Sequence, residues 1–226
     1  MRREKRNHRN GTRLSDILWL AKLGKTTQLK GIRNRKVLVL IDEQNLSIAV
    51  NKRNLMLQYD LLAERIKSAA SLAKLHIFIA TYKNDESRKK QLARMGYVVH
   101  VKKARKKYSS NGRRDWDSNV DNLYAFWVGL YARKNKYDVM ILASGDYGLA
   151  GELSRAICTI RQHNSPAIMS LSLPGSTSEG LKAHWNRYIK ANLYIGLDLL
   201  GPLHRRPHRS NGGNGNGRRH GTNPFC

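Results

Sequence analysis

VLVLID, residues 37–42, is an apolar run that ends on an acid. Five apolar residues in a row, without polar alternation, fit a parallel strand buried on both faces better than a strand with one wet face. Outward from it the pattern repeats. The spacing predicts a helix over 60–73, with apolar residues at 61, 62, 66, 69 and 70, and then a strand in LHIFIATY (75–82). A helix over 86–96 stopped by Gly96 and a strand in YVVHV (97–101) follow. A basic, loop-like stretch at 102–114 leads into a helix over 118–133. DVMILASGD (138–146) is the fourth strand, followed by a helix to 162, and PAIMSLSL (166–173) is the fifth. A helix over 178–188 and a short sixth strand in ANLYIGL (191–197) close the series. Such alternation predicts an α/β fold: a three-layer α/β/α sandwich on a central, mainly parallel sheet of about five or six strands.

The chain has 226 residues, which suits one core domain with tails. Its 42 Lys and Arg against 16 Asp and Glu give a net charge of +26. Residues 1–36 carry 12 basic and 2 acidic side chains, and residues 201–226 carry 5 basic and none acidic. This divides the chain into a basic extension over 1–36, a domain over 37–200 and a basic tail over 201–226. Only RLSDILWLAKLG (13–24) has helical spacing in the extension, and the tail is too rich in Gly, Asn and Arg to fold. A charge this large repels itself unless a polyanion is near, and nucleic acid is the leading candidate. No run approaches the ~18 apolar residues of a spanning helix, and MRREKRNHRN lacks the apolar segment of a secretory signal. Two cysteines, Cys158 and Cys226, make neither a disulfide framework nor a zinc knuckle. The expectation is a soluble, cytoplasmic protein with no membrane partner.

The acids are few and well placed. Asp42 closes the first strand, Asp146 follows the fourth, and Asp121 opens the helix between them. Ligands of an open parallel sheet bind beyond the carboxyl ends of its strands, so the three acids converge on one edge. Glu43, Asp115 and Asp117 lie close by in sequence. Clustered carboxylates repel unless a cation holds them, and hard Mg²⁺ or Mn²⁺ favours oxygen ligands. Each acid also has a purely structural reading. Asp42 and Asp146 are suited to cap the helices that follow them, and Ser118-x-x-Asp121 has the form of a capping box.

VLVLIDEQNL (37–46), SNVDNLYAFWVGLYARKNKYD (118–138) and VMILASGDYGLAGEL (139–153) together tip the balance. In this order the three segments resemble the NYN branch of the PIN-like nuclease superfamily, over about 160 of the 226 residues. The resemblance implies a metal-dependent endoribonuclease, a hydrolase of RNA phosphodiester bonds. It assigns Asp42, Asp121 and Asp146 as the catalytic, metal-binding acids, with Asn45 and Ser144 in support. It implies Mg²⁺ or Mn²⁺ activating a water for in-line attack. Two positions depart from the family: Trp127 and Gly148 stand where it often has further acids. A catalytically degenerate RNA-binding protein on the same fold is therefore the second reading, and a toxin nuclease the third.

KKARKKYSSNGRR (102–114) holds seven basic residues and no acid just before the helix of Asp121. Lys102, Lys103, Arg105, Lys106, Lys107, Arg113 and Arg114 are expected to contact RNA phosphates, with Tyr108 stacking on a base. Arg88, Lys89, Lys90 and Arg94 on the neighbouring helix extend this surface. The partner expected is single-stranded or structured RNA; a homo-oligomer and an acidic protein partner stay open. His76 and His100 fit packed or edge positions, Cys158 a core thiol, and Trp116, Trp127 and Trp185 helix packing. G-K-T-T at 24–27 lacks the upstream glycine and the strand of a phosphate loop, and is discounted.

Overall fold

In a computed structural model of the chain, the residues described are 24–81, 86–108, 114–117, 120–134, 136–144, 166–173 and 189–202. Six strands form one parallel sheet: β1 (Lys36–Asp42), β3 (Leu72–Thr81), β4 (Tyr97–Lys103), β7 (Val139–Ala143), β8 (Ala167–Ser172) and β9 (Ile189–Tyr194). Their order is β4-β3-β1-β7-β8-β9. The chain runs outward from β1 to one edge, then returns and runs from β7 to the other. The order therefore reverses between β1 and β7, and the crevice of such a fold opens at that switch point.

β1 shows why the sheet forms. Val37, Val39 and Ile41 pack on one face with Ile77, Ile141 and Leu171; Leu38 and Leu40 pack on the other with Phe78, Met140 and Leu142. All five are fully buried, as an unalternated apolar run requires. Helices α1 (Glu43–Asn51), α2 (Tyr59–Ala69) and α3 (Glu86–Arg94) supply the first face with Leu46, Val50, Leu62, Ile66 and Leu92. Helix α4 (Asp121–Lys134) covers the second with Tyr124, Val128 and Tyr131. The three-layer α/β/α sandwich is thus present, with six strands in its sheet.

Several elements differ from expectation. A helix follows β1 directly, although residues 43–51 show little apolar periodicity. Residues 102–114 are not all loop: β5 (Arg105–Tyr108) and β6 (Arg114–Asp117) form an antiparallel hairpin. Two three-residue strands, β2 (Leu55–Leu57) and β10 (Leu200–Pro202), pair with each other and are too short to carry a period. The second helix stops at Ala69, short of 73, because Leu72 already pairs with Lys36. Gly96 ends α3 as predicted, at φ +91°.

The last third of the basic extension packs onto the domain. Ile32 is fully buried in the first core, and the segment from Gly24 crosses the end of the domain. Thr27 accepts from the Gly196 amide at 2.9 Å and donates to Asp198 Oδ1 at 2.8 Å, and the Leu197 amide donates to Gly24 O. Arg65 holds the other oxygen of Asp198 at 3.1 Å. G-K-T-T is thus a structural clasp. The helix expected over 13–24 lies outside the described residues except for its last position, and the tail beyond Pro202 lies outside them entirely. Among the described residues no helix is long and apolar enough to cross a membrane.

Candidate active site

Asp42 is the last residue of β1 and, at 3% exposure, is buried at the switch point. In register with Leu38 and Leu40, it faces the side of the sheet that α4 covers. The capping reading of this acid is realised. Oδ1 accepts from the Asn45 amide at 3.2 Å, which caps α1, while Oδ2 accepts from the Ser144 hydroxyl at 3.2 Å. Ser144 reaches Asp42 because Ala143 lies opposite Ile41 in the β1–β7 register, which sets the next pair side by side. A strand end, a helix start and a neighbouring strand end thus all fix one carboxylate.

Helix α4 is pinned above it. The Tyr124 hydroxyl donates to Leu40 O at 3.0 Å from a fully buried position. Burial pushes its phenol well above the usual range, and the negative charge of Asp42 pushes it further. The helix begins at Asp121, one turn before Tyr124 and on the same flank. Asp121 is half-buried at that first turn, at the same end of the sheet as Asp42. Asp146 lies outside the described residues, as do Gly148, Ser118 and Cys158. Among the described residues no three His, Cys, Asp or Glu side chains gather as a metal-binding group.

Three further acids lie near in sequence. Glu43, the first residue of α1, forms an ion pair with Arg88 of α3 and is largely buried. Arg88, expected to extend the RNA surface, keeps 40% of its side chain exposed in this pair. Asp115 and Asp117 fall on β6, opposite Lys107 and Arg105 in the hairpin register. Of the expected RNA-contacting set, Lys102 and Lys103 end β4, and Arg105 to Tyr108 form β5 with Arg114 opening β6. Lys103 and Arg105 are exposed and Lys102 is half-buried; Arg113 lies outside the described residues.

Below the acids, the α4 face of the sheet is aromatic. His76 on β3 is 1% exposed, and its Nδ1 lies 2.7 Å from His100 Nε2 on β4. The two rings stack at 5.0 Å, and Trp127 and Tyr131 close over them. Burial lowers the His76 pKa to about 4, aided by His100 and Lys74, and lowers that of His100 in the same direction. Both histidines are therefore neutral packing partners, as their strand positions implied. Trp127 is packed against them, which gives its side chain a structural task. Sequence reasoning missed this pairing and the Glu43–Arg88 pair, since each joins residues on separate elements.

Residues 36–196 match the model of the NYN domain family. None of the curated proteins matches the chain. Among solved structures, a protein of unknown function from Vibrio parahaemolyticus is similar at a TM-score of 0.53 and 18% identity, over 76% of this chain and 100% of that one. At that identity the likeness concerns the fold alone.

Proposed function

The chain belongs to the NYN domain family, within the PIN-like nuclease superfamily, and from that premise we propose that it is a metal-dependent endoribonuclease. The observation that carries the reading is the buried Asp42 carboxylate at the β1–β7 switch point, oriented by Ser144 and by the α1 amide. Burying an ionised carboxylate is costly unless it is paired or holds a cation, and the two hydrogen bonds set its direction.

The donor set fits a hard divalent cation. Asp42 and Asp121 offer carboxylate oxygens, Ser144 and Asn45 further oxygens, and no thiol or imidazole lies among them. Mg²⁺ or Mn²⁺ would be held by Asp42, Asp121 and Asp146, supplying an activated water and charge stabilisation at a phosphodiester. The residues of the chain do the rest. Ser144 keeps Asp42 in one rotamer, and the Tyr124 hydrogen bond to Leu40 keeps the α4 end over it. Lys103 and Arg105 hold the phosphate backbone near the acids.

Trp127 favours a second reading, a degenerate RNA-binding protein, because packing against the histidine pair occupies a position where the family often carries an acid. One assay separates the two. Labelled RNA is incubated with Mg²⁺, Mn²⁺ or EDTA, beside purified Asp146→Asn and Asp42→Asn proteins. The endoribonuclease cuts internally with metal, stops in EDTA and loses at least a hundredfold in rate in either variant (about 3 kcal/mol of transition-state stabilisation). Tight RNA binding with no cleavage under any metal establishes the degenerate reading. Cleavage at full rate in both variants belongs to a contaminant.

A further inference from the structure

Phe126 is the most exposed large apolar side chain among the described residues, at 63%. It stands on the outer flank of α4, while Tyr124 and Val128 on either side of it are fully buried. An exposed phenylalanine needs an account when a groove lies beside it, and one does. A cleft of about 750 Å³ runs between the end of β4 and α4, with Lys102, Lys103 and Arg105 on one wall and Asn122, Leu123 and Phe126 on the other. Among the described residues no carboxylate lines it. Asn122 and Phe126 are one turn apart on the helix, so they share the face that borders the cleft. The Trp127 ring meets the Phe126 ring edge-on at 6.1 Å, which supports it from one side.

We infer that this cleft binds single-stranded RNA, with a base stacked on Phe126 and the backbone held by Lys103 and Arg105. The inference rests on the reading of RNA as substrate, but not on cleavage. A basic wall facing an aromatic one is the arrangement that single strands use: cations track phosphates, and a ring accepts any base. An apolar protein partner would make no use of the exposed charges of Lys103 and Arg105. A duplex keeps its bases stacked and cannot offer one to the ring. Asn122 borders both the cleft and Asp121, so a strand lying here leads directly to the acidic edge.

Fluorescence anisotropy with a labelled single-stranded oligoribonucleotide in EDTA tests this, beside an oligonucleotide carrying 2-aminopurine. Phe126→Ala is expected to weaken binding about tenfold and to abolish the 2-aminopurine quenching, while Phe126→Trp keeps both. The salt dependence stays unchanged in Phe126→Ala, because no charge is lost. In the Lys103→Ala/Arg105→Ala double variant, the log–log slope falls by about 1.4. Duplex RNA is expected to be insensitive to Phe126→Ala. Unchanged single-strand affinity and quenching in Phe126→Ala overturn the inference, and altered self-association in that variant would reassign the face to a second copy of the chain. RNA bound in a Phe126-dependent way but never cut overturns the nuclease reading alone. RNA cut normally by Phe126→Ala protein of unchanged affinity overturns this inference alone, and no RNA binding by the wild type overturns both.

Discussion

At the scale of single residues, Asp42 shows how one carboxylate can join two elements. Its two oxygens face different elements, so one carboxylate starts α1 and also presents itself at the sheet edge. The histidine pair makes a second residue-level point, with a pH dependence that can be measured. Folding lowers both imidazole pKa values, so below about 6.5 the unfolded chain binds more protons than the folded one. Stability is therefore complete above that pH and declines as pH falls from 6.5 toward 4. For His76 the loss is on the order of 2–3 kcal/mol. Urea midpoints compared between pH 7.5 and 4.5 are expected to show it, and His76→Leu to remove most of the difference from wild type. An identical pH slope in that variant would assign the effect to other groups. Asp42, Asp121 and Ser144 were legible because each ends or begins an element that the sequence announces. Glu43 was legible only as an acid. Its ion pair with Arg88 spans 45 positions, and nothing local selects that partner.

Among the elements, legibility followed burial on both faces. β7, β1 beyond Lys36 and the centre of β3 are apolar runs buried residue after residue, so they stand out. α1 hides because only Leu46 and Val50 of its nine residues are buried, a stripe too narrow to mark a helix. The β5–β6 hairpin hides for the opposite reason: RKKY and RDWD are strands written in charged residues, which read as loop. The clasp from Gly24 to Thr27 was discounted as a phosphate loop, and no nearby residue points to Asp198 as its partner. Gly196 shows how closely this clasp is seated. A methyl group there would meet the Thr26 carbonyl carbon at 2.6 Å and the Thr27 nitrogen at 2.7 Å, so backbone would have to lift. Gly196→Ala is expected to cost about 1–3 kcal/mol and lower the melting temperature by several degrees. A melting curve that superimposes on wild type would mean the clasp yields freely.

For the whole molecule, charge and topology act together. A chain of +26 attracts a polyanion over most of its surface. RNA affinity is expected to fall linearly with salt on a log–log plot, at a slope of about −3 or steeper for four or more neutralised phosphates of a single strand. A flat salt profile would assign the charge to some other use. The composition points to a polyanion, but the surface proposed for it depends on how β4 and α4 are brought together, and no local pattern states that. The switch point also has a kinetic side. β1 finds β3 within 36 positions, so the β4-β3-β1 half can pair while the chain is still being made. Its bond to Ser144 spans 102 positions, and the clasp to Asp198 spans 171. The crevice is the seam between an early half and a late one, and non-local pairings of this kind form slowly. A nascent chain that ends before β7 therefore carries Asp42 without the Ser144 hydroxyl that orients it. That hydrogen bond forms only when the second half docks, late in the chain's own synthesis.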